Sequence, residues 1–326
     1  MHVNRLAHWS RLGICVIAFA LYGGARAADE EPAPTEVAPT EVAPTAPTGV
    51  GLAANGQKTA ATESREAGKR ALAEQDYAAA HRHLSEAAEQ GDAQAQSALG
   101  GMYLAGQGVP ASDAQALSWY RKAADQGNAE AQTNLGLLYA NGRGVAMSDE
   151  AAVQWFRSAA EQGDPAGQSN LGVMYLEGRG VDANDTEAAN WIRQAATQGE
   201  PLAQLNIGLM FLEARGVEQD VVEAAYWLTQ SAEQENADAQ ASLGLMYAEG
   251  RGVLRDEAAA VQWWRKGAEH GNALAQFYLG VSLTEGSNAD PEQARKWLMA
   301  SARQGLPQAR DYLWANGNIS VESANR

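Results

Sequence analysis

The chain has 326 residues, with 24 Lys and Arg against 40 Asp and Glu, a formal net charge of −16. So acidic a balance argues against a footprint for nucleic-acid phosphates and against an anionic membrane surface, and leaves solubility or a cationic partner as its use. The chain has a single cysteine, which excludes an internal disulfide.

In chain order, residues 1–27 read as a cleavable export signal. Arg5 and Arg11 precede the apolar run "LGICVIAFALY", and Ala25-Arg26-Ala27 has the form of a cleavage site. The run is shorter than the roughly 20 residues of a spanning helix, so no membrane insertion is expected after cleavage. Cys15 lies inside the run behind bulky Ile14 and does not form a lipid-anchor signal. Removing Arg5, Arg11 and Arg26 leaves 21 basic and 40 acidic side chains, a charge of −19, and no thiol. The expected location is the periplasm or the outside of the cell.

Residues 28–62 read as a disordered tether rich in Ala, Pro and Thr, with "PTEVA" in tandem and few large apolar side chains to offset the entropy of ordering. Residues 63–90 read as a helical hairpin. Its second helix is capped by Asp76 and carries Tyr77, Ala80, Leu84 and Ala87 at helical spacing.

Six repeats follow: 91–126, 127–162, 163–198, 199–234, 235–270 and 271–304. "AQTNLGLLYANGRGV" at Ala131 returns at Ala95, Gly167, Ala203, Ala239 and Ala275, always 36 residues apart. A fixed period of this size marks a solenoid. Each repeat reads as helix, loop, helix. On the first helix Ala95, Leu99, Met102 and Tyr103 share a face. The second helix opens on a capping residue (Ser112, Asn184, Asp220, Asp290) and closes on a glycine such as Gly127. Residues 305–326 read as a terminal cap helix followed by a polar tail. No segment alternates as a strand does, so the fold is all-α.

Two features of the repeat need explanation. Gly100, Gly136, Gly172, Gly208, Gly244 and Gly280 stand inside a helix, at a cost of about 1 kcal/mol each relative to Ala. Close approach of a facing helix explains them, with the row Trp119, Trp155, Trp191, Trp227, Trp263 and Trp297 as major core elements. The Gly-x-Gly-Val loop needs positive φ or tight contact at its glycines. Its Val109, Val145, Val181, Val217 and Val253 are expected to return to the core.

The pattern Ala131, Leu135, Gly136, Tyr139, Gly142, Gly144, Val145, Asp149, Ala152, Trp155, Ala159, Ala160 and Gly163 resembles the Sel-one-like repeat (SLR) family, relatives of tetratricopeptide repeats. The resemblance covers residues 91–304, while residues 63–90 look like an ordinary tetratricopeptide hairpin. Phe211 for Tyr, Ala214 for Gly and a shortened sixth loop depart from the pattern. The resemblance implies a right-handed superhelix of antiparallel helix pairs and a non-enzymatic adaptor or scaffold that holds other proteins, here as a monomer.

Chemistry is sparse in these residues. His81 and His83 are two apart on a helix and point to different sides, a poor metal pair. No acyl-transfer signature occurs, and "GQGVPA" follows a helix rather than a strand, so it is not a dinucleotide fingerprint. No catalytic residue, cofactor or metal is expected. Arg143, Arg179, Arg215 and Arg251, with Glu177, Glu213, Glu249 and Glu285, form surface ladders expected to pair between repeats at about 0–1 kcal/mol each.

The fourth repeat stands out. Beside its core face, Leu202, Leu205, Leu209 and Leu212 form a second apolar stripe, with Leu137, Val173, Leu176, Leu245, Val281 and Phe277 at or near equivalent positions. By the resemblance this face lines a concave groove. It is either a docking surface for a protein or peptide, bordered by Glu177, Glu213 and Glu249 and selecting basic flanks, or it is buried between adjacent first helices. The reading favoured is an exported adaptor that binds a protein partner in the groove. The rivals are an envelope-linked spacer and, more remotely, a hydrolase.

Overall fold

The computed structural model describes residues 51–284 and 289–316, with side chains from residue 59. The export signal, tether residues 28–50, Glu285 and the tail from residue 317 lie outside the described residues. Those residues form fifteen helices and no strand. They divide into two compact units, one ending at Ala183 and one beginning at Asn184.

The first unit holds α1 (Gly51–Ala73), α2 (Tyr77–Glu89), α3 (Ala93–Ala105), α4 (Asp113–Asp125), α5 (Ala129–Asn141), α6 (Asp149–Glu161) and α7 (Pro165–Glu177). The second holds α8 (Asp185–Thr197), α9 (Pro201–Glu213), α10 (Val221–Glu233), α11 (Ala237–Glu249), α12 (Glu257–Glu269), α13 (Ala273–Ser282), α14 (Pro291–Arg303) and α15 (Pro307–Ala315). Within each unit the helices pack in consecutive pairs. α1 begins at Gly51, so the last dozen residues read as tether are helical. Beyond Pro47 that stretch holds no further proline, and its Ala61 is buried.

Both helices of a repeat are capped. Asn128 accepts from the amide of Ala131 at 2.8 Å and Ser148 from that of Ala151 at 3.1 Å. The sequence pattern located only the second of these two caps.

The mid-helix glycines do admit a facing helix, but not the tryptophan row. A Cβ on Gly136 would lie 2.6 Å from the Phe156 ring, one on Gly100 2.7 Å from Tyr120, and one on Gly244 would collide with Trp264. The buried row is therefore Tyr120, Phe156, Ile192, Leu228, Trp264 and Leu298, each one residue after the repeated Trp. Trp119, Trp155, Trp191, Trp227, Trp263 and Trp297 are only half-buried. Positions i+3 and i+4 from the repeated Ala share a helix face, and the tighter contact goes to the second. Gly68 meets Leu84 in the same way at 2.6 Å, so the N-terminal hairpin packs as a repeat.

In the loop, Gly142 and Gly144 adopt φ of 64° and 68°. A Cβ on Gly144 would sit 2.7 Å from the carbonyl of Asp113, so the loop rests on the start of the preceding repeat's second helix. Arg143 between the two glycines then clasps Asp113 with Nε at 3.1 Å and Nη2 at 2.6 Å. Arg179 holds Asp149 at 3.1 and 2.6 Å, and Arg215 holds Asp185 at 2.9 Å. The expected pairing between repeats is thus made chiefly to the aspartate that opens a helix, with Glu177 a second partner of Arg179 at 3.3 Å. Val109, Val145, Val181, Val217 and Val253 stay half-buried at the rim and do not enter the core.

A part-buried amide ladder, not anticipated from the sequence, ties helices together. Gln132 donates to the carbonyl of Ala124 at 3.2 Å and accepts from Gln162 at 2.7 Å. Gln96 with Gln126, Gln204 with Gln234, and Gln276 with Gln304 repeat the second contact. At one rung His270 replaces glutamine, with Nδ1 3.0 Å from Gln240 Oε1. Gln240 Nε2 already donates to Ala232, so its Oε1 accepts and His270 Nδ1 donates. Each rung satisfies the amide of a buried glutamine with a partner that reaches the surface, and holds register.

Candidate functional site

The first helices carry the residues expected to hold a partner, and the structure sorts them by burial. Leu205, Leu209 and Leu212 are 1%, 6% and 6% exposed. Val173, Leu176, Leu245 and Phe277 are buried as well. These seven are core side chains, which corrects their reading as docking anchors. A stripe of leucines next to a core face widens the apolar arc of the helix, and a helix apolar over most of its circumference is buried on most sides. On α9 every residue from Ala203 to Leu212 is buried.

Four of the twelve remain half-buried: Leu137, Leu202, Glu213 and Glu249. Glu177 is exposed. Glu249 pairs with Arg251 at 3.6 Å, as Glu177 does with Arg179. Glu213 differs from both. Its Oε1 is buried without a hydrogen-bond partner among the described residues. Burial pushes its carboxyl above the usual range, with nearby Arg215 acting in the opposite direction. Asn206, two turns earlier, also has a buried acceptor, Oδ1, with no such partner. Leu202, Asn206, Leu209 and Glu213 follow i, i+4, i+7, i+11 spacing, one face of α9.

The tyrosine row lies over the second helices. Arg157 donates to the Tyr175 hydroxyl at 2.9 Å, and Arg121 donates to that of Tyr139. Phe211 has no hydroxyl, and the Arg193 guanidinium lies over its ring at 5.4 Å instead. His81 meets the Tyr103 hydroxyl at 3.3 Å. His81 and His83 are half-buried rather than solvated, and among the described residues no three metal-ligating side chains come together.

The large apolar side chains that stand in solvent lie elsewhere and were missed in the sequence. They are Met147, Val222, Tyr226, Leu254 and Trp314, of which Val222 and Tyr226 belong to the fourth repeat and Leu254 to the fifth. The signal that could have found them was present: each departs from the residue types at its own position in the other repeats.

Fold and surface together define an α-helical repeat protein whose outward variation carries its individuality. The Sel1 repeat model matches residues 66–92, 93–128, 129–164, 165–200, 201–236, 237–272 and 273–306, so the chain belongs to the Sel1 repeat family. The first of these matches takes in the hairpin read as an ordinary tetratricopeptide unit, in agreement with the Gly68–Leu84 contact. A Sel1 repeat protein from Oxalobacter formigenes is 33% identical, with 73% of this chain and 96% of that one covered and a TM-score of 0.67. A protective antigen of uropathogenic Escherichia coli strains displaying an SLR fold is 34% identical over 85% of this chain and 69% of that one, with a TM-score of 0.47. No curated protein sequence matches the chain. Sel1 repeat proteins are generally non-enzymatic scaffolds that bind protein partners.

Proposed function

We propose that this chain is an exported, monomeric adaptor that holds a protein segment against its first helices, through N–H donors from Lys, Arg or the partner's backbone. One observation carries the reading: Oε1 of half-buried Glu213, at the C-terminal end of α9, lacks a donor among the described residues. A buried acceptor left unpaired costs about 1–3 kcal/mol. A partner that supplies the donor removes that cost and restores the Glu213 carboxylate to its ordinary affinity for protons. Leu202, half-buried on the same face, offers the apolar contact. The acidic side chains Glu213 and Glu249 of the second unit favour basic flanks and make association weaken with salt.

A photo-reactive residue placed at Leu202 in intact cells tests this. The expected result is a discrete adduct with another protein, reduced when Glu213→Ala is added. Adducts only with cell-wall material at any surface position would favour the envelope spacer instead. Export is checked by fractionation and by the N-terminus of the isolated protein, expected at Ala28. Recovery of unprocessed chain in the cytosol would overturn it.

A further inference from the structure

Val222 and Tyr226 are 65% and 53% exposed, one turn apart on the same face of α10. Elsewhere in the array the Val222 position is Ala114, Glu150, Thr186, Ala258 and Glu292, and the Tyr226 position is Ser118, Gln154, Asn190, Gln262 and Lys296. Leu254, 90% exposed, stands where the other loops have Pro110, Ala146, Asp182 and Glu218. The loop that carries Leu254 rests on the start of α10, since a Cβ on Gly252 would collide with the Val221 carbonyl. These three departures therefore fall on one corner of the second unit.

A fourth departure joins them. Val221 stands where Asp113, Asp149 and Asp185 receive the loop arginine of the following repeat, and Arg251 turns instead to Glu249 at 3.6 Å. The corner has exchanged an ion pair between repeats for apolar surface. Its surroundings are acidic: Glu218, Asp220, Glu223 and Asp256 are exposed, while Arg255 is engaged by Glu257 at 2.6 Å.

We infer that this corner is a second docking surface, separate from α9, for a protein segment with bulky apolar side chains flanked by Lys or Arg. Charge selects that occupant. The chain's own residues 28–50 carry five acidic residues and no basic one, so they are repelled. A second copy would bring the same acidic rim and be repelled likewise. A basic segment with apolar anchors meets both features at once.

The test uses the full chain and two labelled helical peptides, one of Leu and Lys and one of Leu and Glu. In the triple variant Val222→Glu, Tyr226→Gln, Leu254→Glu, each position takes a residue type already found at its equivalents Glu150, Gln154 and Glu218, so its melting midpoint should match the parent. The Leu/Lys peptide should bind the variant at least roughly tenfold more weakly, because one buried apolar anchor exceeds a tenfold step. The variant is the more acidic protein, so charge alone would shift binding the other way. A photo-reactive leucine in the peptide should form adducts within residues 221–226 and 250–257. Equal binding by parent and variant, equal binding of the Leu/Glu peptide, or a parent dimer that the variant loses would each overturn the inference. Adducts confined to residues 202–213 would also overturn it while leaving the α9 reading intact.

Discussion

At the scale of single residues, the sizes in the core row are matched to bare glycine backbones. Ile192 is fully buried while Trp191 beside it is half-buried. Ile192→Ala is therefore expected to cost about 2–5 kcal/mol by leaving a cavity, and Trp191→Ala distinctly less, although it removes the larger side chain. Urea denaturation followed by circular dichroism orders the two, and the reverse order would return the tryptophans to the core. Backbone strain gives a second expectation. Ala214 holds φ of 56° at a position where Gly142, Gly178 and Gly250 stand in neighbouring loops. An L-residue there costs on the order of 1 kcal/mol relative to glycine. Ala214→Gly should raise stability by about that amount, visible as a higher melting midpoint.

At the scale of the element, α9 is the most apolar of the first helices in its burial, and it ends on a carboxylate. The Glu213 carboxyl lies above its ordinary range through burial, so its ionised form is disfavoured in the folded chain. A carboxyl with a raised pKa in the folded chain lowers stability at pH above its unfolded pKa, and the deficit disappears as pH falls below that value. Glu213→Gln should accordingly raise the melting midpoint at neutral pH, and the gain should fade toward about pH 4, where the unfolded carboxylate also takes up its proton. A gain independent of pH would assign the effect to packing. The ion pairs behave differently. Arg179 and Asp149 are 31% and 26% exposed at their side chains, so their bidentate contact is screened by solvent. Its value lies in fixing the loop on the helix start rather than in a large stabilisation.

At the scale of the whole molecule, a repeat array needs its ends covered, because a terminal repeat has an apolar face and no neighbour. α15 serves at the C-terminal end: Ala309 and Leu313 join the cluster of Leu279, Leu283, Phe277 and Leu298. A chain ended after Gln304 should melt at lower temperature and associate at concentrations where the full chain does not. Size-exclusion chromatography and a thermal scan check both. An unchanged midpoint would mean that α14 closes the array unaided.

Much of this protein was determined by its sequence alone, because a period of 36 residues with glycine stops and capping side chains leaves one architecture open. Periodicity, caps and positive-φ glycines are local properties, legible without knowing what lies opposite. The family resemblance of residues 91–304 rests on those same positions, and the family model extends it to residue 66. Tertiary structure decided what depends on the opposing surface. Trp263 and Trp264 are alike in sequence, and only the approach of Gly244 makes the second one core. Leu209 and Leu254 are both leucines in the same stretch of array, yet one is 6% exposed and the other 90%. The first lies on a helix enclosed on most sides, the second on a loop beyond the last contact. Periodicity gives the direction of a side chain from its own helix axis, whereas burial depends on whether another chain segment occupies that direction.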